Sequence, residues 1–128
     1  MPNGSTSLAH PAPENGARLT TLDPAAGYIT IINTYTVDPE RAEALLDLLS
    51  RATAETIWYV PGFVSASFHI NLDRTQVVNY AQWQSREATA AAGADPKVAA
   101  RIREAAQIAD GFAPILYELR HSVVAPGA

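Results

Sequence analysis

Residues 63–84, FVSASFHINLDRTQVVNYAQWQ, contain two segments rich in β-branched and aromatic side chains, and only four residues separate them. This composition is typical of β-strands. Because the connection is so short, we expect the two strands, 63–71 and 76–84, to pair as an antiparallel hairpin. The segments on either side of this hairpin complete the predicted fold.

Two Asp-Pro pairs mark the helices that flank the hairpin. Asp38-Pro39 and Asp95-Pro96 each combine an N-cap residue with proline at the first helical position. The predicted strands are 28–37, 63–71, 76–84 and 112–124, and the predicted helices are 39–58 and 85–109, the second interrupted at Gly93. This β-α-β-β-α-β order predicts a ferredoxin-like α+β fold, with an antiparallel sheet and two helices on one face. The other sheet face would stay apolar and exposed, which predicts that two chains dimerise through their sheets.

Residues 1–27 are rich in Pro, Gly, Ser, Thr and Asn and show no hydrophobic periodicity. Such a segment buries too little apolar surface to offset the entropy of ordering it, so we expect a disordered arm. The alternative is an arm that wraps a partner subunit. The folded domain is then expected over 28–128, which is long enough for one small core.

Composition and charge exclude several classes of protein. With 9 Lys+Arg against 13 Asp+Glu the net charge is −4, and there is no basic run, so nucleic-acid binding is not expected. The absence of cysteine excludes disulfides, iron–sulfur clusters, thiolate zinc sites and a cysteine nucleophile. No flavin, nicotinamide or metal motif is present, and no apolar run reaches the ~20 residues of a membrane helix. The sequence therefore predicts a cytoplasmic protein with no metal, no cofactor and no membrane contact.

The second strand of the hairpin carries the most informative polar side chain. Alternation along a strand places Asn79 and Trp83 on one face, about 13 Å apart at ~3.3 Å per residue. An amide can stabilise a developing oxyanion and an indole offers a stacking wall, so the pair could bracket a flat ligand of two or three fused rings. The alternative is that both are core residues, although Asn is disfavoured within a strand.

Three further groups of side chains could join such a site. His69 is a ready general base in the folded region, although a lone strand histidine can also be purely structural. Arg101 and Arg103 flank the apolar stripe of the last helix, and either could reach a pocket or remain solvated. Asn33 and Tyr35 share a face of the first strand that could line a cavity.

Residues 58–86, WYVPGFVSASFHINLDRTQVVNYAQWQSR, resemble the antibiotic biosynthesis monooxygenase domain family. The resemblance rests on Pro61-Gly62-Phe63, His69 and the string Asn79-Tyr80-Ala81-Gln82-Trp83, and it extends in length and pattern over about 28–124. It implies a dimeric α/β barrel of ferredoxin-like subunits. It also implies the oxidation of an aromatic polyketide, of anthrone or naphthol type, to a quinone with O2 and no cofactor, in antibiotic biosynthesis.

The same resemblance assigns roles to several side chains. Asn79, Trp83 and His69 match catalytic, pocket-side residues, and Arg103 falls at the place of an arginine on the last helix that also contributes. The quinone-forming members carry a tyrosine where this chain has Thr89, which keeps a hydroxyl but loses the phenol. The expected substrate-binding residues are Arg103, Phe63, Asn33, Tyr35 and Thr89.

Three other functions occur on the same scaffold. A non-oxidative polyketide cyclase or isomerase fits Thr89 as well as an oxygenase does, and oxygen dependence separates the two. A non-catalytic binding protein would hold a coloured polyketide without converting it. Haem degradation needs an axial histidine on the last helix, and residues 97–109 contain none.

Overall fold

The computed structural model describes residues 19–127, in which four β-strands and three α-helices follow one another in the predicted order. The strands are β1 (Ile29–Thr36), β2 (Phe63–Ile70), β3 (Gln76–Trp83) and β4 (Gly111–Glu118), and the helices are α1 (Ala42–Glu55), α2 (Arg86–Ala94) and α3 (Pro96–Ile108). The strands form one antiparallel sheet in the order β2-β3-β1-β4. The ferredoxin-like α+β fold expected from the sequence is therefore confirmed.

Side-chain caps start the helices where the sequence predicts them. The Asp38 carboxylate accepts a hydrogen bond from the backbone N–H of Glu40 at 3.1 Å, in the short turn that leads into α1. Ser85 and Asp95 accept equivalent bonds, at 3.0 and 2.8 Å, at the starts of α2 and α3. Each cap satisfies a backbone donor that has no partner within its helix.

The two faces of the sheet have different surroundings. The inner face, on which the helices pack, carries the alternate residues Val77, Asn79, Ala81 and Trp83 of β3, and all four are buried. Directly opposite residues of neighbouring strands share a face, because strand side chains alternate. The outer face, turned away from the helices, accordingly includes Ile32, Ser67, His69, Tyr80, Gln82, Ile115 and Tyr117.

The hydrophobic core lies between the inner face and the helices, in two clusters. One cluster joins the fully buried Leu45 of α1 to Val77 of β3. The other joins Trp83 at the end of β3 to Val98 of α3. The cavity described below takes lining residues from both clusters.

Gly62 brings the start of β2 close to α2. Its φ of 92° lies in the left-handed region, which glycine adopts without steric cost. A Cβ at this position would overlap the side chain of Ala88. The Pro61-Gly62 pair therefore both ends the preceding helical segment and permits this close approach.

Strand β2 departs from regular alternation near its start. Phe63 pairs with Trp83, and Ser65 pairs with Gln82. Because Trp83 and Gln82 are adjacent in β3, strand β2 contains one extra residue between Phe63 and Ser65. An inserted residue reverses the faces of everything that follows it. Phe68 thereby lies on the inner face with Phe63, and His69 lies on the outer face.

Strand β4 is shorter than the sequence predicts. The expected strand over 112–124 ends at Glu118, which pairs with Ile29 at the start of β1. Within residues 19–127, β4 is an edge strand with β1 as its neighbour, so the residues after Glu118 have no strand of the described chain to pair with.

Part of the segment expected to be a disordered arm lies against the outer face. The Gln82 side-chain amide donates to the Thr20 hydroxyl at 3.2 Å and to the Thr21 carbonyl at 3.1 Å. The Thr20 hydroxyl donates in turn to the Ser65 hydroxyl at 3.0 Å. The buried Gln82 side chain thus offers this segment specific partners, and the expectation that residues 1–27 form a disordered arm stays a prediction. The rest of that prediction, residues 1–18, lies outside the described residues.

Candidate functional site

A cavity of about 250 Å³ lies between the inner face of the sheet and the helices. Inner-face residues of all four strands form its floor, and residues of α1, α2 and α3 form its walls. The lining is mainly apolar. The side chains with polar atoms that reach it are Asn33, Tyr35, Thr53, Asn79, Trp83, Thr89 and Arg101. A concave apolar surface with a few polar groups is the usual form of a small-molecule binding site.

Two asparagines occupy the middle of the cavity floor. Asn33 of β1 and Asn79 of β3 are directly opposite residues in the antiparallel register, and both line the cavity. Asn79 is only 8% exposed, and its Oδ1 accepts no hydrogen bond within residues 19–127. A buried amide oxygen without a partner costs about 1–3 kcal/mol. A ligand that brings a hydroxyl to this point would recover that cost, so the two amides form a polar anchor in an apolar floor.

Aromatic side chains close the two ends of the floor. At one end Trp83, 5% exposed, packs edge-to-face on Phe63, with ring centroids 5.4 Å apart and an interplanar angle of 78°. At the other end Tyr35 stacks on Phe112 of β4, with ring centroids 4.8 Å apart at 26°. Flat apolar walls of this kind favour a planar aromatic ligand.

Burial determines the ionisation of Tyr35. The side chain is 5% exposed and belongs to the same apolar cluster as Leu45. Loss of solvation raises the pKa of the Tyr35 phenol to about 12, because burial disfavours the charged phenolate. The hydroxyl therefore stays protonated at neutral pH.

Of the two arginines on α3, Arg101 lines the cavity and Arg103 does not. Residues two positions apart on a helix point about 200° apart, so only one of the pair can face the sheet. The expectation that Arg103 binds substrate is corrected accordingly, since the Arg103 side chain is exposed on the far side of α3.

Three hydrogen bonds hold the Arg101 guanidinium at the edge of the cavity. It donates to Glu55 at 2.5 Å, to Glu104 at 3.2 Å and to the Thr56 hydroxyl at 3.2 Å. The bonds to Glu55 and then Glu104 raise the pKa of Arg101 above its ordinary value. A guanidinium has five N–H donors, so two have no partner within residues 19–127 and remain for a ligand.

His69, the expected general base, lies on the outer face and is exposed. Regular alternation would put His69 on the same face as Phe63, which is six positions away. The extra residue in β2 reverses this, and Phe68 takes the position that faces the cavity. The placement expected for His69 is therefore wrong. Neither His69 nor His121, the two histidines within residues 19–127, lines the cavity.

The other predicted residues come together in the one cavity, which is lined by Asn33, Tyr35, Phe63, Asn79, Trp83 and Thr89. The Thr89 hydroxyl nevertheless points to the backbone of its own helix, where it donates to the Arg86 carbonyl oxygen at 2.6 Å. Thr89 thus contributes to the shape of the wall more than to its polarity.

Thr53, Phe68 and Phe112 are among the cavity-lining residues that sequence reasoning missed. Thr53 follows Leu49 by four positions, so the helical stripe of α1 contained a signal for it. No comparable signal marks Phe68 or Phe112. The extra residue in β2 places Phe68, and the β1–β4 register places Phe112 opposite Tyr35.

Within residues 19–127, no three His, Asp or Glu side chains are grouped so that they could hold a metal ion. None of the helices in the same range is long and apolar enough to cross a membrane.

Comparison with known proteins shows that this chain is similar to monooxygenases in sequence and in fold. Residues 28–104 match the family model described as antibiotic biosynthesis monooxygenase. Tetracenomycin-F1 monooxygenase of Streptomyces glaucescens is 38% identical over 104 residues, which cover 81% of this chain and 92% of that protein.

Two solved structures are similar in fold. The monooxygenase from the gene ActVA-Orf6 of Streptomyces coelicolor, in complex with nanaomycin D, has a TM-score of 0.73 and 31% identity, covering 79% of this chain and 95% of that one. SnoaB, a cofactor-independent oxygenase from Streptomyces nogalater, has a TM-score of 0.61 and 21% identity, and the match covers 76% of this chain and 97% of SnoaB. At that lower identity, the likeness to SnoaB shows the fold alone.

Proposed function

Since the chain belongs to the antibiotic biosynthesis monooxygenase family, we propose that it is a cofactor-independent monooxygenase acting on an aromatic polyketide. Its substrate is of anthrone or naphthol type, its co-substrate is O2 and its product is a quinone. The observation that carries this proposal is the buried Asn79 amide, whose Oδ1 has no partner within residues 19–127, on the floor of a cavity with aromatic ends. The nanaomycin D bound to the similar Streptomyces coelicolor monooxygenase supports a ligand of this chemical class.

The shape of the cavity supports a flat substrate of fused rings. Its floor extends across the sheet from Tyr35 to Trp83, and the β3 residue opposite Tyr35 lies about 20 Å from Trp83 along that strand at ~3.3 Å per residue. The asparagine amides lie between these two ends. A planar substrate can therefore place an oxygen at the amides while its ring faces remain against apolar walls.

The reaction begins with the acidity of the substrate itself. No Asp, Glu, His or Lys side chain lines the cavity in the described part of the chain. The substrate's own phenolate, rather than His69, therefore provides the carbanion-like anion. The Nδ2 groups of Asn33 and Asn79 donate hydrogen bonds to its oxygen, which stabilises negative charge in an environment of low dielectric. A neighbouring hydroxyl of the substrate donates to the Asn79 Oδ1 that has no partner within residues 19–127.

Oxygen then reacts with this anion directly. An electron-rich carbanion transfers one electron to O2, and recombination of the two radicals forms a carbon–oxygen bond to a peroxide. Loss of water from the peroxide leaves a carbonyl, so a CH2 group and O2 become C=O and H2O. The apolar walls exclude solvent and protect the reactive intermediates.

Oxygen uptake by the purified protein tests this proposal. The substrate is a dihydroxyanthrone, the protein is freed of metal and flavin, and a chelator is present. We expect O2 consumption above the spontaneous rate, matched mole for mole by quinone. Quinone formation at only the spontaneous rate would overturn the proposal. Quenching of tryptophan fluorescence without O2 uptake would instead indicate a cyclase or a binding protein.

We further propose that two chains associate through the outer faces of their sheets. Ile32, Tyr80 and Ile115 lie in one row across the middle of that face, and Ile115 is 49% exposed. The N-terminal segment bonds to the outer face at Gln82, two residues along β3 from Tyr80. Pairing two copies would remove the apolar row from water, which is the usual driving force for association.

Arg101→Met is expected to lower kcat/KM about 10-fold or more, chiefly by raising KM. Methionine keeps an apolar stem in the cavity wall but removes the two free N–H donors, and a hydrogen bond from a charged group contributes about 1.5–3 kcal/mol. Arg103→Met, on the exposed side of the same helix, is the matched control and should keep wild-type kinetics. Steady-state kinetics with the anthrone measures both. Equal KM values for the two variants would contradict the assignment of Arg101 to the ligand.

A further inference from the structure

Three hydroxyl groups belong to residues that line the cavity, and they differ in their hydrogen bonds. The Thr53 hydroxyl donates to the Leu49 carbonyl oxygen at 2.9 Å, and the Thr89 hydroxyl donates to the Arg86 carbonyl oxygen at 2.6 Å. Both protons are therefore engaged by helix backbone. The Tyr35 hydroxyl forms no hydrogen bond with any residue of the described chain, 19–127. Among the described residues that line the cavity, Tyr35 therefore carries the hydroxyl whose proton is not already bonded to the chain.

The Tyr35 ring is held in one orientation. It stacks on Phe112 with ring centroids 4.8 Å apart, and its side chain is almost completely buried beside α1. Tyr35 also lies two residues from Asn33 on the same strand face, so their Cα atoms are about 6.6 Å apart along β1 at ~3.3 Å per residue. A donor fixed next to the amide anchor needs no rearrangement when the substrate binds.

The remaining polar groups of the cavity cannot replace Tyr35 as an acid. The amides of Asn33 and Asn79 and the indole N–H of Trp83 donate hydrogen bonds but do not give up protons near neutral pH. Arg101 is held by two carboxylates that favour its charged form. The Tyr35 phenol, by contrast, is neutral because burial raises its pKa to about 12, and it can lose a proton to a stronger base.

We propose that the Tyr35 hydroxyl is the catalytic proton donor of this site, and that it hydrogen-bonds the reacting oxygen of an aromatic substrate next to the asparagine anchor. This inference rests on the function proposed above. It assigns a specific residue to the step that follows the addition of O2.

The proton transfers balance within one turnover. The substrate carbanion and O2 form a C–O–O⁻ peroxide, so two electrons pass from carbon to oxygen. Tyr35 protonates the terminal oxygen and becomes a phenolate. That phenolate removes the remaining hydrogen from the same carbon as a proton. The electron pair of the C–H bond forms C=O, the O–O bond breaks, and hydroxide leaves, so Tyr35 is again neutral.

Tyr35→Phe tests the assignment, because phenylalanine keeps the ring that stacks on Phe112 and removes only the hydroxyl. We expect kcat to fall by about 10²-fold or more, as for the loss of a positioned general acid, with KM within about 3-fold. Tyr59→Phe is the matched control, since Tyr59 is an exposed tyrosine outside the cavity lining. It should keep wild-type kcat. A kcat for Tyr35→Phe within about 2-fold of wild type would overturn the inference while the oxygenase proposal stood.

Thermal unfolding separates this catalytic role from a structural one. The hydroxyl that is removed has no partner in the described chain, so Tyr35→Phe should unfold at the same temperature as wild type or a higher one. A low kcat that accompanies a lower unfolding temperature would identify a structural role and contradict the inference.

A binding measurement tests the hydrogen bond without turnover. The probe is a dihydroxyanthraquinone, whose visible absorption band shifts when its oxygens accept a hydrogen bond. We expect the shift with wild type and Tyr59→Phe, and at most half of it with Tyr35→Phe at saturating protein. An unchanged shift in Tyr35→Phe would overturn the inference alone. If the quinone did not bind the wild type at all, the proposed substrate class and the inference would both be wrong.

Discussion

Asn79→Ala is expected to lower kcat by about 10²- to 10³-fold with the anthrone substrate. That is the effect of removing one donor that stabilises an oxyanion in a site shielded from water. Asn79 lies at the middle of the cavity floor, opposite Asn33, so alanine leaves one amide and a small gap. Single-turnover kinetics should show the loss in the step that consumes O2, with binding of the quinone product weakened much less.

The same variant should remain folded, and this separates catalysis from stability. Asn79 Oδ1 has no hydrogen-bond partner within residues 19–127, so its removal forfeits no bond there. Gln84→Ala removes an amide from an exposed position just beyond β3 and should keep wild-type activity. An Asn79→Ala enzyme with wild-type kcat would eliminate the amide anchor from the mechanism and would remove the main support for the proposed function.

Ile115→Lys is expected to convert a dimer into a monomer. Ile115 lies opposite Ile32 in the middle row of the outer face and is 49% exposed, so lysine costs the isolated chain little. In a symmetric dimer each copy would contribute one new charge to an apolar interface, and burying unpaired charges is strongly unfavourable. Sedimentation equilibrium measures the mass directly, and circular dichroism checks that the fold is kept.

Leu72→Lys is the control for surface charge in this experiment. Leu72 is 100% exposed in the β2–β3 turn, away from the outer face, so its replacement should leave the dimer intact. A wild-type chain that sediments as a monomer, or an Ile115→Lys chain that stays dimeric, would contradict association through the outer faces.

The elements of the fold that the sequence predicted correctly are those that depend on residues close together in the chain. Helix starts are set by caps such as Asp38 and Asp95, which act within a few residues of the chain. The β2–β3 hairpin follows from a connection too short for any other pairing. The C-terminal strand was predicted too long, because the end of β4 depends on where its neighbour β1 begins.

The candidate site was predicted wherever regular alternation holds. Asn33 and Tyr35 share one face of β1, and Asn79 and Trp83 share one face of β3, since neither strand is interrupted. Strand alternation in the sequence indicates which residues share a face. Only the packing of the helices shows which of the two faces is the inner one.

The sequence by itself determined the order of elements, the helix starts and the set of side chains that could carry chemistry, because these depend on neighbours along the chain. Tertiary structure decided which of those side chains meet. An extra residue in β2 sends His69 to the outer face, and the rotation of α3 selects Arg101 over Arg103. Both outcomes depend on pairing and packing between segments distant in sequence, so no local pattern encodes them.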